Sequence, residues 1–401
     1  MRKSRRWVIA PFELGSMIIG LIIVGCGFQS PAASGDASTA DTPILDAAVD
    51  VPIDGDTNCF GTGLVQICVL APLTVPITMG DKTIDTGDSG TSSMCVPYTS
   101  IPNGVQVCVI AGTMISFPGG KTFRVEGDRP LVLISSGNIA IAGGGTIDVA
   151  SHIGGTVGAA SNASQCIPGT PPAQGGGTGG GGYGGSFGGA GGSGGTGASG
   201  GAGGMAAMVS AIPTVLRGGC PGSPGANGGG GSGAGAAGAG GGAVLLIARG
   251  TIQIDGSINA SGSAGGGCAK GTQAGAGGGG SGGMIALDAS TVSVSGGGHI
   301  WANGGGGGEG AGINVDGDPG KDSSGPMNAG TGGAGSSAAG GNGGNGSVAG
   351  TLGGLNGLPG MNGCGGGGGG GGGAGMILIH AATVNGTGST DNVAPPPVVT
   401  H

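Results

Sequence analysis

Two stretches of the chain are copies of one unit, and that unit limits what the rest can fold into. Val244-Leu245-Leu246-Ile247 and Met284-Ile285-Ala286-Leu287 are short apolar runs. Each is followed, seven residues after it begins, by an alternating segment: Thr251-Ile252-Gln253-Ile254 and Thr291-Val292-Ser293-Val294. Alternation with period two marks a strand buried on one face, and an unbroken apolar run marks a strand buried on both. With Val107, Leu131, Val244, Met284 and Met376 aligned, Ile115, Ile139, Ile252, Val292 and Val384 stand eight residues on. Phe117, Ile141, Ile254 and Val294 follow two further along, with Gly386 breaking the pattern. A third apolar position falls at Phe123, Ile147, Ile258 and Ile300, and Ile67, Val75 and Ile77 begin the series. An internal repeat of this kind predicts stacked coils. The expectation is an all-β fold, a single right-handed parallel β-helix of about six coils. Leu133, Leu246 and Leu378 should share its dry interior.

The spacing between copies locates the insertions. Leu131 follows Val107 by 24 residues, the length of one bare coil, whereas the other intervals are 40, 113, 40 and 92. The surplus is glycine-rich, at about 151–242, 261–282 and 304–374, and leaves after the third apolar position, at one corner of the coil. Glycine is 112 of 401 residues, without a Gly-X-Y period, so collagen is excluded. Aromatic residues are 2% and charged residues 8%, so the core must be aliphatic. Such inserts are either flexible linkers or extended three-residue-per-turn helices packed side by side. Their common exit favours packing, because neighbouring ends lower the entropy of bringing them together. The tracts 175–195 and 365–373 resemble the polyglycine-II sandwiches of certain phage tail-fibre adhesins.

At the N-terminus, Arg2, Lys3, Arg5 and Arg6 precede a mostly apolar stretch, 18–24, which is short for a membrane span. Ile23-Val24-Gly25-Cys26 resembles the lipobox of bacterial lipoproteins. The resemblance implies a signal peptide over 1–25, cleavage before Cys26 and a diacylglycerol on its thiol. Taking off four basic residues and one acid moves the formal charge from −8 to −11. No basic run remains, which argues against nucleic acid as a partner. Residues 26–56 read as a flexible tether, 57–128 as cysteine-containing first coils, 129–386 as the solenoid and 387–401 as a tail. Pro395, Pro396 and Pro397 in that tail should blunt the final sheet edge.

Beyond Cys26 stand Cys59, Cys68, Cys95, Cys108, Cys166, Cys220, Cys268 and Cys364, an even number that predicts disulfides in an oxidising compartment. Local pairs Cys59–Cys68 and Cys95–Cys108 are preferred over Cys68–Cys108 across neighbouring strands. No CxxC is present and the four histidines are scattered, so a zinc site is not expected.

Candidate chemistry is sparse. Polysaccharide cleavage needs paired carboxylates or a calcium-bound acid with a basic partner. Asp148, Asp255 and Asp288 occupy different positions of the unit, and Arg249 stands apart. Asp316, Asp318 and Asp322 are spaced like weak calcium ligands but lack a bidentate Glu, and Asp54, Asp56 and Asn58 form a similar trio. Trp301 is a candidate exposed binding residue, and His380 a structural one. No catalytic residue and no cofactor is assigned.

The GG-x-GG tracts and the strand pattern over 59–386 resemble the glycine-rich bacterial proteins termed PE-PGRS-like, although 1–58 carry no Pro-Glu helical domain. The resemblance implies a glycine-rich protein at the cell surface. The expectation is a non-enzymatic lipoprotein of the bacterial envelope, at the outer membrane or its external face. Its role would be structural or adhesive, with the membrane, surface glycans or other envelope components as partners. The competing expectation is a β-helical protein that binds or cleaves polysaccharide.

Overall fold

The computed structural model describes residues 58–88, 94–100, 104–335, 338–363 and 365–401. All regular structure among them is β; no helix occurs. Two sheets hold the repeats. The larger runs Ile77–Thr78, Ile115–Phe117, Ile139–Ile141, Ala243–Ile254, Met284–Val294, Met376–Asn385 and Val398–Thr400, with Gln106–Gly112 and Leu131–Ser135 joined alongside. The smaller runs Lys82–Asp85, Thr122–Glu126, Thr146–Asp148, Ser257–Asn259, His299–Trp301 and Val393–Ala394. All neighbours along both orders pair in parallel, so the chain reaches each new strand by a crossover.

Register follows the aliphatic columns. Ile77, Ile115, Ile139, Ile252, Val292 and Val384 are successive partners in one sheet. Phe123, Ile147, Ile258, Ile300 and Val393 are partners in the other. Both columns enter one buried cluster that joins the two sheets, and Ile115, Ile139, Ile252, Val292, Ile147, Ile258 and Ile300 are fully buried. At about 1.5–3 kcal/mol for each large aliphatic side chain buried, these ladders supply most of the cohesion of the strands.

The first apolar runs are registered differently from the ungapped alignment. Leu131 pairs with Cys108 rather than Val107, and Val244 with Ile285 rather than Met284. Two separate irregularities cause this: residues 113 and 114 oppose 136–138 between the pairs Gly112–Ser135 and Ile115–Ile139, and residues 249 and 250 oppose Ser290 alone between the pairs Ala248–Ala289 and Thr251–Thr291. One residue of slip moves a side chain to the opposite face. Leu133 and Leu246 therefore lie in the inner cluster, while Leu378 packs on the outer one and Ile379 takes the inner place.

That outer cluster explains why the runs are apolar without interruption. Val107, Val109, Val132, Ile134, Leu245, Ile247, Ala286 and Met376 form the outer face, covered by Phe60, Val65 and Ile67 and by Phe187 and Leu216 from the first insert. Ile67 thus belongs to no parallel coil. Cys59–Phe60 and Ile67–Cys68 form a separate antiparallel pair, closed by the Cys59–Cys68 disulfide. Val75 accordingly has no place in the column, and Ile77 pairs with Ile115. Cys95–Cys108 and Cys166–Cys220 are also formed. The tail adds strands to both sheets, its prolines occupying the corner between Ala394 and Val398.

The glycine-rich segments follow Thr146–Asp148, Ser257–Asn259 and His299–Trp301 and return at Ala243, Met284 and Met376. They are ordered by a lateral hydrogen-bond lattice with a three-residue period. Gly366, Gly369 and Gly372 donate to the carbonyls of Ala311, Gly308 and Gly305. Gly367, Gly370 and Gly373 donate to Gly179, Gly182 and Gly185; Gly368, Gly371 and Ala374 donate to Leu358, Leu355 and Leu352. The carbonyls of 366–373 in turn accept from 341–347, 276–282 and 192–195, again every third residue. Residues 275–283 repeat the arrangement with 220–226, 367–373 and 260–266 as acceptors. Three residues per turn is the period of an extended left-handed helix, which makes no hydrogen bonds of its own and so offers all of them sideways.

Glycine is required here by proximity rather than by φ. A Cβ on Gly366, Gly369 or Gly372 would press into the carbonyl oxygens of Ala274, Gly277 and Gly280. We expect Gly369→Ala to lower unfolding free energy by about 3 kcal/mol, as overpacking of a dense interior does. Gly296→Ala, where the added methyl meets nothing, should change it by less than about 0.5 kcal/mol. Urea unfolding of the two variants provides the comparison. Cys166 and Cys220 are 54 residues apart, and loop entropy puts the contribution of their bond at about 4 kcal/mol. The C166A/C220A double variant should lose that amount in the same assay.

Candidate functional site

A broad concavity lies where the antiparallel pair 59–68 crosses the outer face of the larger sheet. Register builds its floor: Ile247, Asp288 and His380 are successive partners across three strands. Next to Ile247, at the bulge 249–250, the Arg249 guanidinium lies 4.6 Å over the Phe60 ring. The groove encloses about 1100 Å³, and Gln66, Arg249, Asp288, Ser290, His380 and His401 contribute its polar lining.

The polar groups of this groove are largely committed. Asp288 Oδ2 accepts from the amides of Thr62 and Gly63 at 2.8 Å each, and Oδ1 accepts from Thr62 Oγ1 at 3.3 Å. It therefore fixes the 61–64 loop to the sheet rather than standing ready as a base. Ser290 Oγ donates to the Arg249 carbonyl at 2.6 Å. His380 Nδ1 is 3.0 Å from Thr400 Oγ1. His401 Nδ1 is 2.8 Å from the Ala381 carbonyl, which can only accept, so that nitrogen carries the proton. Among the described residues Asp288 is the one acidic side chain lining the groove, so they do not assemble there the carboxylate pair that glycoside hydrolysis uses.

A second cluster sits on the smaller sheet. Asp148 pairs in register with Arg124 below and Asn259 above. Arg124 Nη2 donates to Asp148 Oδ2 at 2.8 Å, and Asn259 Nδ2 donates to Oδ1 at 3.3 Å. His152 Nε2 approaches Asp148 Oδ2 to 3.1 Å and its Nδ1 is 3.6 Å from Asp322. Asp148 is buried, and burial pushes its carboxyl upward. The hydrogen bond from His152 and the charges of His152 and Arg124 outweigh that and hold it below the usual carboxylate range. Hydrogen bonds to Asp148 and Asp322 push His152 up to about 9. The cluster is an electrostatic clasp between the sheet and the third glycine-rich insert.

Asp316, Asp318 and Asp322 do not converge. Asp316 accepts from the Lys270 amide at 2.6 Å, and the Asp318 amide donates to Glu309 at 3.0 Å. Asp322 accepts from the amides of Ala264 and Ile153. Among the described residues no group of three or more His, Cys, Asp or Glu is placed to hold a metal ion. Asp255 accepts from Gln253 at 2.6 Å, remote in role from Asp148 and Asp288. Trp301, expected as an exposed binding residue, is buried between Asn259 and Ala394. Cys268 is a buried free thiol, and burial raises it to about 12, so it is inert. Cys26, Asp54, Asp56 and Cys364 lie outside the described residues; Asn58 hydrogen-bonds through its carbonyl to the Val69 amide.

Sequence reasoning missed the clasp. Arg124 stands 24 residues before Asp148, the bare coil length, so that pairing could have been read. His152 and Asp322 arrive from inserts, whose paths carry no such signal. Comparison with protein-family models, curated proteins and solved structures returns no match.

The clasp gives the protein a defined pH response. The folded-state value of His152 exceeds its ordinary 6.5, so its contribution is complete below 6.5 and is lost as pH rises through about 9. Asp148 acts oppositely: its contribution is present above the ordinary carboxylate range and is lost as pH falls through its lowered value. Midpoints of thermal unfolding between pH 6 and 10 should therefore decline for the native protein and stay flatter for H152Q. D148N should cost about 3 kcal/mol at neutral pH, because Arg124 loses its counterion and His152 the nearer of its two.

Proposed function

We propose that this chain is a non-catalytic surface element, structural or adhesive in role, held to the bacterial envelope by a lipid on Cys26. The observation that carries the reading is an uncharged, regularly spaced apolar stripe on the glycine lattice. Leu352, Leu355, Leu358 and Met361 are 43–56% exposed, and their three-residue spacing lines them along one side of the tract. The neighbouring tract presents Ala190, Ser193 and Thr196 at the same interval, paired through Gly354, Gly357 and Gly360. A row of large exposed apolar side chains on a backbone cross-linked in three directions is a contact face rather than a site of chemistry.

The parallel ladders and their common buried cluster support reading the strands as one right-handed β-helix. The three-residue hydrogen-bond period supports a polyglycine-II description of the inserts. The basic N-terminus with Ile23-Val24-Gly25-Cys26, and three disulfides, are consistent with export and lipidation, with the protein displayed on the outer membrane or beyond. The likeness to PE-PGRS-like proteins belongs to this same reading.

A second reading, polysaccharide binding, is favoured by the groove beside Arg249, His380 and His401. The single, committed carboxylate of that groove favours binding over cleavage.

An adsorption measurement tests the first reading. The purified protein should bind uncharged octyl-coated beads, and L355D/L358D should reduce binding by at least about tenfold while leaving the unfolding midpoint within about 2 °C. Equal adsorption of both proteins, or turnover of any polysaccharide by the native protein, would remove the proposal.

A further inference from the structure

A smaller cavity of about 390 Å³ lies away from both the groove and the clasp, enclosed by 105–106, 128–130, 160–165 and 215–217. Arg129 and Arg217 both line it. Arg129 is 18% exposed, and its Nη1 is shut off from solvent without a hydrogen-bond partner. The carboxylate paired with it, Asp128, is 4.0 Å from Nε and 79% exposed, so it neutralises little. Arg217 is 6% exposed. Its guanidinium stacks 4.4 Å over Phe187, donates to Ser210 Oγ at 3.3 Å, and lies 3.6 and 3.8 Å from the sulfurs of Cys166 and Cys220. None of these partners carries a charge, and among the described residues Arg217 enters no ion pair.

Arginine does not shed its proton in a protein, so burial leaves it charged. An uncompensated buried cation costs several kcal/mol, and a chain of net charge −8 has many acids with which to avoid that cost. Arg217 without a carboxylate among the described residues, and Arg129 with only an exposed one at 4.0 Å, point to a counterion from outside. We propose that this cavity binds an oxyanion group: carboxylate, sulfate or phosphate. Arg129 would provide the planar donor fork that matches such groups. Ser161, Ser164 and Gln165 line the same cavity and offer further donors. The volume stands at the small end of ligand sites, suited to a free ion or one acidic sugar residue. The inference does not depend on the surface role proposed above.

Calorimetric titration of the full-length protein at constant ionic strength, balanced with chloride, tests it. The probes are inorganic phosphate, sulfate, glucuronate and a polyuronate. The native protein should bind at least one saturably, and R129M should weaken that binding at least tenfold, with K270M as an unaffected control. A polyuronate-only response identifies a glycan residue as the source, and a phosphate or sulfate response identifies a free ion. In chloride alone R129M should unfold at the native temperature or above, because it removes an uncompensated charge; a purely structural arginine would lower it. Should R129M fail to fold, R129K keeps the charge but loses the fork, and should also bind at least tenfold more weakly. Absence of saturable binding, or equal binding by the Arg129 variants, overturns the site.

Discussion

A buried peptide N–H or C=O without a partner costs about 1–3 kcal/mol, and a long glycine tract has nothing but peptide groups with which to meet that demand. A helix or a sheet would satisfy them, but glycine is poor in both. The tracts at 275–283 and 366–374 solve the problem laterally, each residue donating to a different neighbour in turn. This requirement fixes the three-residue period and keeps Cβ atoms from most interior positions, Ala276, Ser281 and Ala374 being buried exceptions. It also sets how close the tracts stand, since a single methyl at Gly369 would collide with a neighbouring carbonyl.

The strand-built part supplies what the lattice cannot, a hydrophobic interior. Its columns of isoleucine and valine hold successive strands in register, and each glycine-rich segment begins and ends on those strands. The two parts are coupled at named points. Phe187 and Leu216 of the first insert cover the outer face of the larger sheet. Asp322 of the third insert meets His152 beside Asp148. Because anchor points and tracts alternate along the chain, loosening one tract bears on every segment hydrogen-bonded to it.

Much of the β framework could be read in advance, and the failures have local causes. Ile115, Ile139, Ile252 and Val292 align in sequence and in space because the corner between strands keeps one length. The runs before them do not, since 136–138 opposing 113–114 and the bulge at 249–250 each add a residue that pattern matching across an apolar run cannot detect. Val107 and Cys108, or Leu378 and Ile379, are equally apolar, so only these two irregularities decide which faces inward. Ile67 matched the repeat yet sits on the opposite side of the sheet, held there by Cys59–Cys68. In the tracts, Gly367 and Gly368 are identical letters with different neighbours, so sequence carries no information about who pairs with whom. The Arg129 and Arg217 cavity was hidden for the same reason: its walls come from four separated stretches.

The three-residue period has an evolutionary corollary. Losing one residue just before Leu355 would rotate the rest of that tract by a third of a turn. Leucine side chains would then point where Gly354, Gly357 and Gly360 now face the carbonyls of Gly371, Gly368 and Gly365. Such a tract can lengthen or shorten across lineages only in steps of three residues, while a homopolymeric stretch such as 365–373 can slide by single residues without changing which atoms meet. Patterned tracts should therefore carry a phase in their insertions and deletions that pure glycine tracts lack.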